Sequence, residues 1–241
     1  MKQTLHLIIL RTIRHNERHN ILTAFSLESG RVAFAVSAGA GRAASRMRAL
    51  LMPLSIVECE ADIKPGRDIH TMANVRSLTA LHGIHSHPVR SSLAMFLAEV
   101  LGCILRDGPP DSLLWQFIAD GIVSLDRIPP ARLANFHLCF LSRLAAVLGI
   151  APDIGSYSDG MVFDMADGRF RMTPPLHPHF FSATDSRAVP MLGRLTFQTM
   201  HLWRLSRDER RRILDGILEY YSIHYASLTG LKSLDILRTL M

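Results

Sequence analysis

Hydrophobic and polar positions alternate with a period of two along the first third of the chain and recur every three to four residues over most of the remainder. LHLIILRTI (5–13) reads as a first strand, apolar and rich in β-branched residues. Asn16 and Glu17 form a turn, and NILTAFSLE (20–28) puts Ile21, Thr23, Phe25 and Leu27 on one face. After a turn at Ser29-Gly30, RVAFAVSA (31–38) alternates Val32, Phe34 and Val36. A basic loop is expected over 39–48. LLMPLSIVECE (50–60) would then be a fourth strand with Pro53 at an edge or bulge. KPGRD (64–68) is a turn, and IHTMANVRSL (69–78) reads as a fifth strand. Tight turns between short strands describe an antiparallel meander, and five strands with one long loop fit a small barrel of the OB type.

The pattern then becomes helical. Pro88 opens a helix over 88–106, which Gly108-Pro109-Pro110 breaks. Asp111 can cap a helix over 112–126, and Pro129-Pro130 precede a helix over 131–149 that ends at Gly149. Two short β-like runs flank Asp167-Gly168 within 159–172, a hairpin signal, and 174–182 reads as loop. A helix is expected around 188–202. Ser206 and Glu209 have capping-box spacing at the start of a helix running to about Ala226, and a last helix covers 231–241. The pattern as a whole predicts an α+β chain. An N-terminal OB-fold β-barrel (1–80) is followed by a C-terminal α-helical domain (81–241) with a small β-hairpin insertion at about 157–172.

Composition sharpens this picture. In 241 residues, 48% are hydrophobic and 20% charged, which excludes a disordered chain. The formal charge of +6 is uneven: residues 1–80 hold 11 basic and 6 acidic side chains, and almost all the cations are arginine. A basic front on a nearly neutral rear points to a polyanion-binding module on a packed carrier. Cys59, Cys103 and Cys139 are too few and too scattered for a disulfide framework or a four-cysteine zinc site. The longest apolar stretch, Leu93–Leu105, is interrupted by Glu99 and too short for a bilayer. No secretory signal is visible, so a cytoplasmic location and no membrane role are expected.

Two motifs compete for the loop at 39–48. Gly39-Ala40-Gly41-Arg42-Ala43-Ala44 matches a dinucleotide fingerprint, which would make the chain a nucleotide-binding enzyme. Hairpin-linked strands argue against it, because a doubly wound sheet needs helical crossovers. The preferred reading is a basic loop facing a nucleic-acid backbone. In it Arg42, Arg46 and Arg48 pair phosphates, and Arg11, Arg14, Arg18 and Arg31 extend the surface from neighbouring strands. A basic protein-interaction module without DNA function is the third reading. His82, His85 and His87, and His177 with His179, lack ligand-spaced partners, so no metal and no cofactor are expected. No nucleophile or paired-carboxylate motif supports an enzyme.

The segment IILRTIRHNERHNILTAFSLESGRVAFAVSAGAGR with RALLMPLSIVE resembles the N-terminal domain of the RecO family of bacterial DNA repair proteins. FLAEVLGCIL (96–105), the run ending in Leu-Gly (140–149) and Leu-Lys-Ser (231–233) extend the resemblance over nearly the whole chain. It implies a non-catalytic recombination mediator that binds single- and double-stranded DNA and anneals complementary strands. The implied protein partners are RecR, the acidic C-terminal tail of the single-stranded-DNA-binding protein and, indirectly, RecA. An acidic tail ending in an aromatic suits an apolar pocket rimmed by arginine, with Arg132, Phe136, Phe140 and Arg143 as candidates. Ordinary bundle core with surface arginines is the alternative for those four. Many members carry a four-cysteine zinc site in the insertion. Here 151–182 holds no cysteine, so zinc is not carried over, and a hairpin with Phe163 and Phe170 is expected to serve as the local core.

Overall fold

A computed structural model describes residues 2–64, 66–105 and 108–240. They form two compact units, Met1–Asp126 and Arg127–Met241.

In the first unit, strands β1 (Gln3–Arg14), β2 (His19–Ser26) and β3 (Gly30–Ser37) form an antiparallel meander. Helix α1 (Arg42–Leu50) leads to β4 (Ile56–Ala61) and β5 (Met72–Ser77). The sheet order is β3-β2-β1-β4-β5. Its two edges meet at a parallel bridge between Phe34 and His70, where the Ala35 and His70 N–H groups donate to His70 O and Ala33 O at 2.9 Å. The strand order, the helix between β3 and β4 and this closure are those of an OB barrel.

Leu5, Leu7, Ile9, Leu22, Ala24, Val32, Phe34, Val36, Val57 and Cys59 fill the interior. By alternation Ile8, Leu10 and Phe25 face outward, yet all are buried, because α3 packs on β1. The apolar face expected on β2 is therefore its outer one, and the strand is buried on both sides.

The loop expected over 39–48 is a helix from Arg42, and β4 begins at Ile56 rather than 50. The stretch is built of strong helix formers, but none of its side chains is fully buried, and Ala44 and Met47 make too short an apolar face to stand out among Arg42, Arg46 and Arg48. Residues 51–54 turn the chain instead of extending it. Leu54 adopts φ 62°, and its N–H donates to Ile9 O at 2.7 Å beside the irregularity in β1 between Ile9 and Arg11. In the turn expected at 64–68, Pro65 lies outside the described residues. A short helix α2 (His82–Ser86), not foreseen, precedes α3 (Pro88–Ile104) and α4 (Ser112–Arg127). Arg106, the expected end of α3, is outside the described residues. Asp111 caps α4 as expected, accepting from Leu114 N–H at 2.9 Å. Strands end at Ser77, whereas the compact unit continues to Asp126. Residue 80 therefore marks a change of secondary structure inside that unit.

In the second unit a 3-10 turn (Pro130–Arg132) precedes α5 (Phe136–Val147), so the helix starts five residues later than expected. Strands β6 (Val162–Asp164) and β7 (Arg169–Arg171) form the foreseen hairpin, and β8 (Phe180–Phe181), from the segment read as loop, pairs with β6. Helices α6 (Ala183–Ser186) and α7 (Ala188–Arg194) follow. The helix expected to 202 stops at Arg194, because Thr196 and Thr199 exchange side-chain and backbone hydrogen bonds in a turn. A 3-10 turn (Met200–Leu202), α8 (Arg207–His224) and α9 (Lys232–Leu240) complete the unit, with Met241 outside the described residues. Ser206 and Glu209 form the expected capping box. The insertion has its own core of Phe163, Met165, Phe170, Phe181, Val189 and Tyr220.

Candidate nucleic-acid interface

The β1–β2 hairpin is shaped by Asn16, whose Oδ1 accepts from the Arg18 and His19 N–H groups at 2.9 and 2.8 Å. Arg11, Arg14 and Arg18 are all exposed around this tip, but not on one face. Register pairs Arg11 with Thr23 and Arg14 with Asn20, and the irregularity between Ile9 and Arg11 sets which side each takes. Arg11 belongs to the outer side and is near enough to Cys103 of α3 to act on its thiol, as is Arg31. Burial still raises that thiol above its ordinary range, with Glu99 adding to it. Arg31 is occupied: its Nη1 donates to Leu105 O at 2.9 Å.

Arg14 falls on the opposite side of β1, the side shared with Thr12 and Asn20, which face the gap between the strands and α1. That gap is a groove of about 250 Å³, lined in part by Thr12, Asn20, Ser37, Met47, Arg48 and Met52. Ala44, Met47, Arg48 and Leu51 face it at helical spacing. Arg42 and Arg46, one turn apart, fall on the far side of α1 and are exposed. Six of the seven arginines thus fall into three groups by face: Arg11 with Arg31, Arg14 with Arg48, and Arg42 with Arg46. Arg18 stands at the hairpin tip. Arg48 is partly committed, donating to Gly39 O at 2.7 Å. Arg11, Arg14, Arg18, Arg42 and Arg46 make no ion pair or side-chain hydrogen bond among the described residues. Phe25 and Phe34, the only Phe, Tyr or Trp side chains in residues 2–80, are buried.

The Gly39–Ala44 motif does join a strand to a helix, but β3 and β4 are not neighbours in the sheet. The parallel βαβ unit of a dinucleotide site is therefore not formed there.

In the second unit Phe136 and Phe140, candidates for an apolar pocket or for bundle core, are fully buried. Phe136 stacks on Phe197 with ring centroids 5.1 Å apart and lies 6.3 Å from Phe140. Phe197, which carries no motif in the sequence, closes that core. Arg132 is exposed, and the Arg143 guanidinium lies 6.0 Å from the Phe197 ring centroid. Asn135 joins α5 to the following segments, donating to Met200 O and Trp203 O at 2.9 and 2.7 Å and accepting from Arg210 Nε at 3.1 Å. Burial drives the His137 imidazole down to about 3, and Arg210 adds to the effect. The cleft lined by His137, Arg207, Arg210, Arg211, Leu214, Leu237 and Arg238 has about 20 Å³, room for a water rather than a peptide. The arginines clustered at the start of α8, Arg207, Arg210, Arg211 and Arg212, are largely engaged within their own unit: Arg212 pairs with Asp185 at 3.2 Å and Arg211 donates to Arg238 O at 3.0 Å.

Residues 1–83 match the model of the family described as Recombination protein O N terminal. The DNA repair protein RecO of Porphyromonas gingivalis is 39% identical over 239 residues, covering 97% of this chain and 96% of that protein. The chain belongs to the RecO family. RecO proteins of Phocaeicola vulgatus and Bacteroides fragilis are 35% and 33% identical, each over 97% of this chain and 96% of its own length. The resemblance carried by the N-terminal strands thus extends through the helical unit of a RecO-family DNA repair protein. No helix among the described residues is long and apolar enough to cross a membrane.

Proposed function

We propose that the chain is a non-catalytic recombination mediator whose barrel, with residues 1–80 as the DNA-facing module, binds single- and double-stranded DNA and anneals complementary strands. The observation that carries this reading is the set of exposed, unpaired arginines on an OB barrel: Arg11, Arg14, Arg18, Arg42 and Arg46. Guanidinium groups without internal partners can displace the counterions of a phosphate backbone. Arg31 and Arg48 contribute charge while holding the carbonyls of Leu105 and Gly39. Residues 81–241 provide the surface for RecR and for the acidic tail of the single-stranded-DNA-binding protein, and through them for RecA. Arg132 and Arg143 offer the tail charge, with Phe136 and Phe140 as the core beneath.

Fluorescence anisotropy with a single-stranded oligonucleotide at several salt concentrations tests the reading. Binding weakens steeply with salt. The combined change Arg42→Ala, Arg46→Ala lowers the slope of log K against log salt by about 1 for each phosphate that is no longer neutralised. An unchanged slope, together with an unchanged annealing rate, would remove the α1 arginines from the interface.

A further inference from the structure

The groove between α1 and the β1–β2–β3 strands has a mixed lining, part of it continuous with the barrel core through Val36, Leu51 and Met47. Asn20, Thr12 and Ser37 offer amide and hydroxyl groups from the strands, and Met47, Leu51 and Met52 offer apolar and thioether surface from α1 and the turn after it. Arg48 lines it, and Arg14, exposed, is the β1–β2 register partner of the lining residue Asn20. Its volume, about 250 Å³, lies just below the range of sites for drug-sized molecules, a size suited to one planar ring system. Sequence-tolerant binding of single strands ordinarily uses exposed aromatic rings as stacking platforms. This barrel has no exposed Phe, Tyr or Trp among its described residues, since Phe34 is interior and Phe25 is buried on the outer side of the strands.

We infer that the α1 groove is a nucleobase pocket: it receives one unstacked base of a single strand, with the flanking phosphates against Arg14 and Arg48. Polarisable methionine surface takes the face of the base, and Asn20, with an amide donor and acceptor, meets its edge. A duplex keeps its bases stacked and cannot fill the pocket without base flipping. The pocket therefore favours single strands, while the arginines serve both. This inference rests on the DNA-binding reading.

The test compares a thymidine oligonucleotide with an abasic strand of equal length, both titrated by anisotropy at one salt concentration. The wild-type protein is expected to bind the thymidine strand about tenfold more tightly. Ala44→Phe fills the groove without altering charge. It should erase this preference while leaving abasic-strand affinity and the salt slope unchanged. Asn20→Leu, which keeps the volume and removes the polar edge contact, supplies an independent variant should Ala44→Phe fail to show a cooperative melt. Equal wild-type affinity for the two strands, or a preference that survives both substitutions, overturns the pocket and leaves DNA binding intact. Binding of neither strand at low salt overturns the DNA reading itself.

Discussion

Gly30 carries more of the barrel's geometry than its size implies. It sits at φ 65°, where a Cβ is strained, and a Cβ there would lie 2.6 Å from Gly108 O and 3.4 Å from Pro109 O. Next to it Arg31 holds Leu105 O, so the β2–β3 turn is seated on the segment that follows α3. Gly30→Ala should therefore lower stability by about 2 kcal/mol or more, combining left-handed strain with a backbone clash. A urea titration followed by circular dichroism reads the change, and a loss below about 0.5 kcal/mol would mean that the turn is not held there. The turn itself was legible from Ser29-Gly30. The neighbour that requires the glycine lies nearly eighty residues away, and no local pattern announces it.

The β insertion is organised around one buried carboxylate. Asp164, at 1% exposure, is the hub of its polar side, accepting from Ala166 and Asp167 N–H groups at 3.0 and 3.2 Å and from Arg171 Nε at 2.7 Å. His177 Nε2 lies 3.3 Å away, and Arg171 also pairs with Asp167. Burial alone would raise the Asp164 carboxyl. The N–H donors and Arg171 more than reverse that and hold it below the usual carboxylate range. A depressed folded value gives stability that is present above the unfolded pKa and lost as pH falls through the lower folded one. Asp164→Asn should accordingly cost most at neutral pH. The gap in urea midpoint between wild type and variant should shrink below about pH 4. A gap independent of pH would show that the charge is not what holds the hairpin. At the same scale, Ser206→Ala removes the α8 cap, whose Oγ accepts from Glu209 N–H at 3.2 Å, and should cost about 1 kcal/mol in the same titration. Both hairpin and cap were legible, because Asp-Gly and Ser-x-x-Glu act within four residues. Helix α1 was not, because a short helix with three arginines and no fully buried side chain looks like a basic loop.

Over the whole molecule, helices α3 and α4 belong with the barrel in one compact unit. Ile8, Leu10 and Phe25 are buried on the outer side of the strands, where α3 covers β1. Cutting the chain after residue 80 would uncover these side chains, each worth about 1.5–3 kcal/mol of burial, whereas a cut after 126 leaves them covered. A fragment spanning 1–126 is expected to be soluble with a cooperative melt. One spanning 1–80 should aggregate or lack a transition, and cooperative melting of the shorter fragment would refute the dependence on α3. The arginines follow the same logic: chain proximity placed Arg11, Arg14 and Arg31 together, but strand alternation and the β1 irregularity send Arg11 and Arg14 to opposite sides.

Read by itself, the sequence determined the order and type of most elements, the charge asymmetry and the family, since these depend on residue spacing and on matches along the chain. Tertiary structure alone decided which arginines remain unpaired, that Phe136 and Phe140 are core, and that α1 and the strands enclose a groove. Those outcomes depend on which distant backbone packs against each side chain. For Arg31 it is the end of α3, for Phe136 it is Phe197, and for Asn20 it is the facing side of α1.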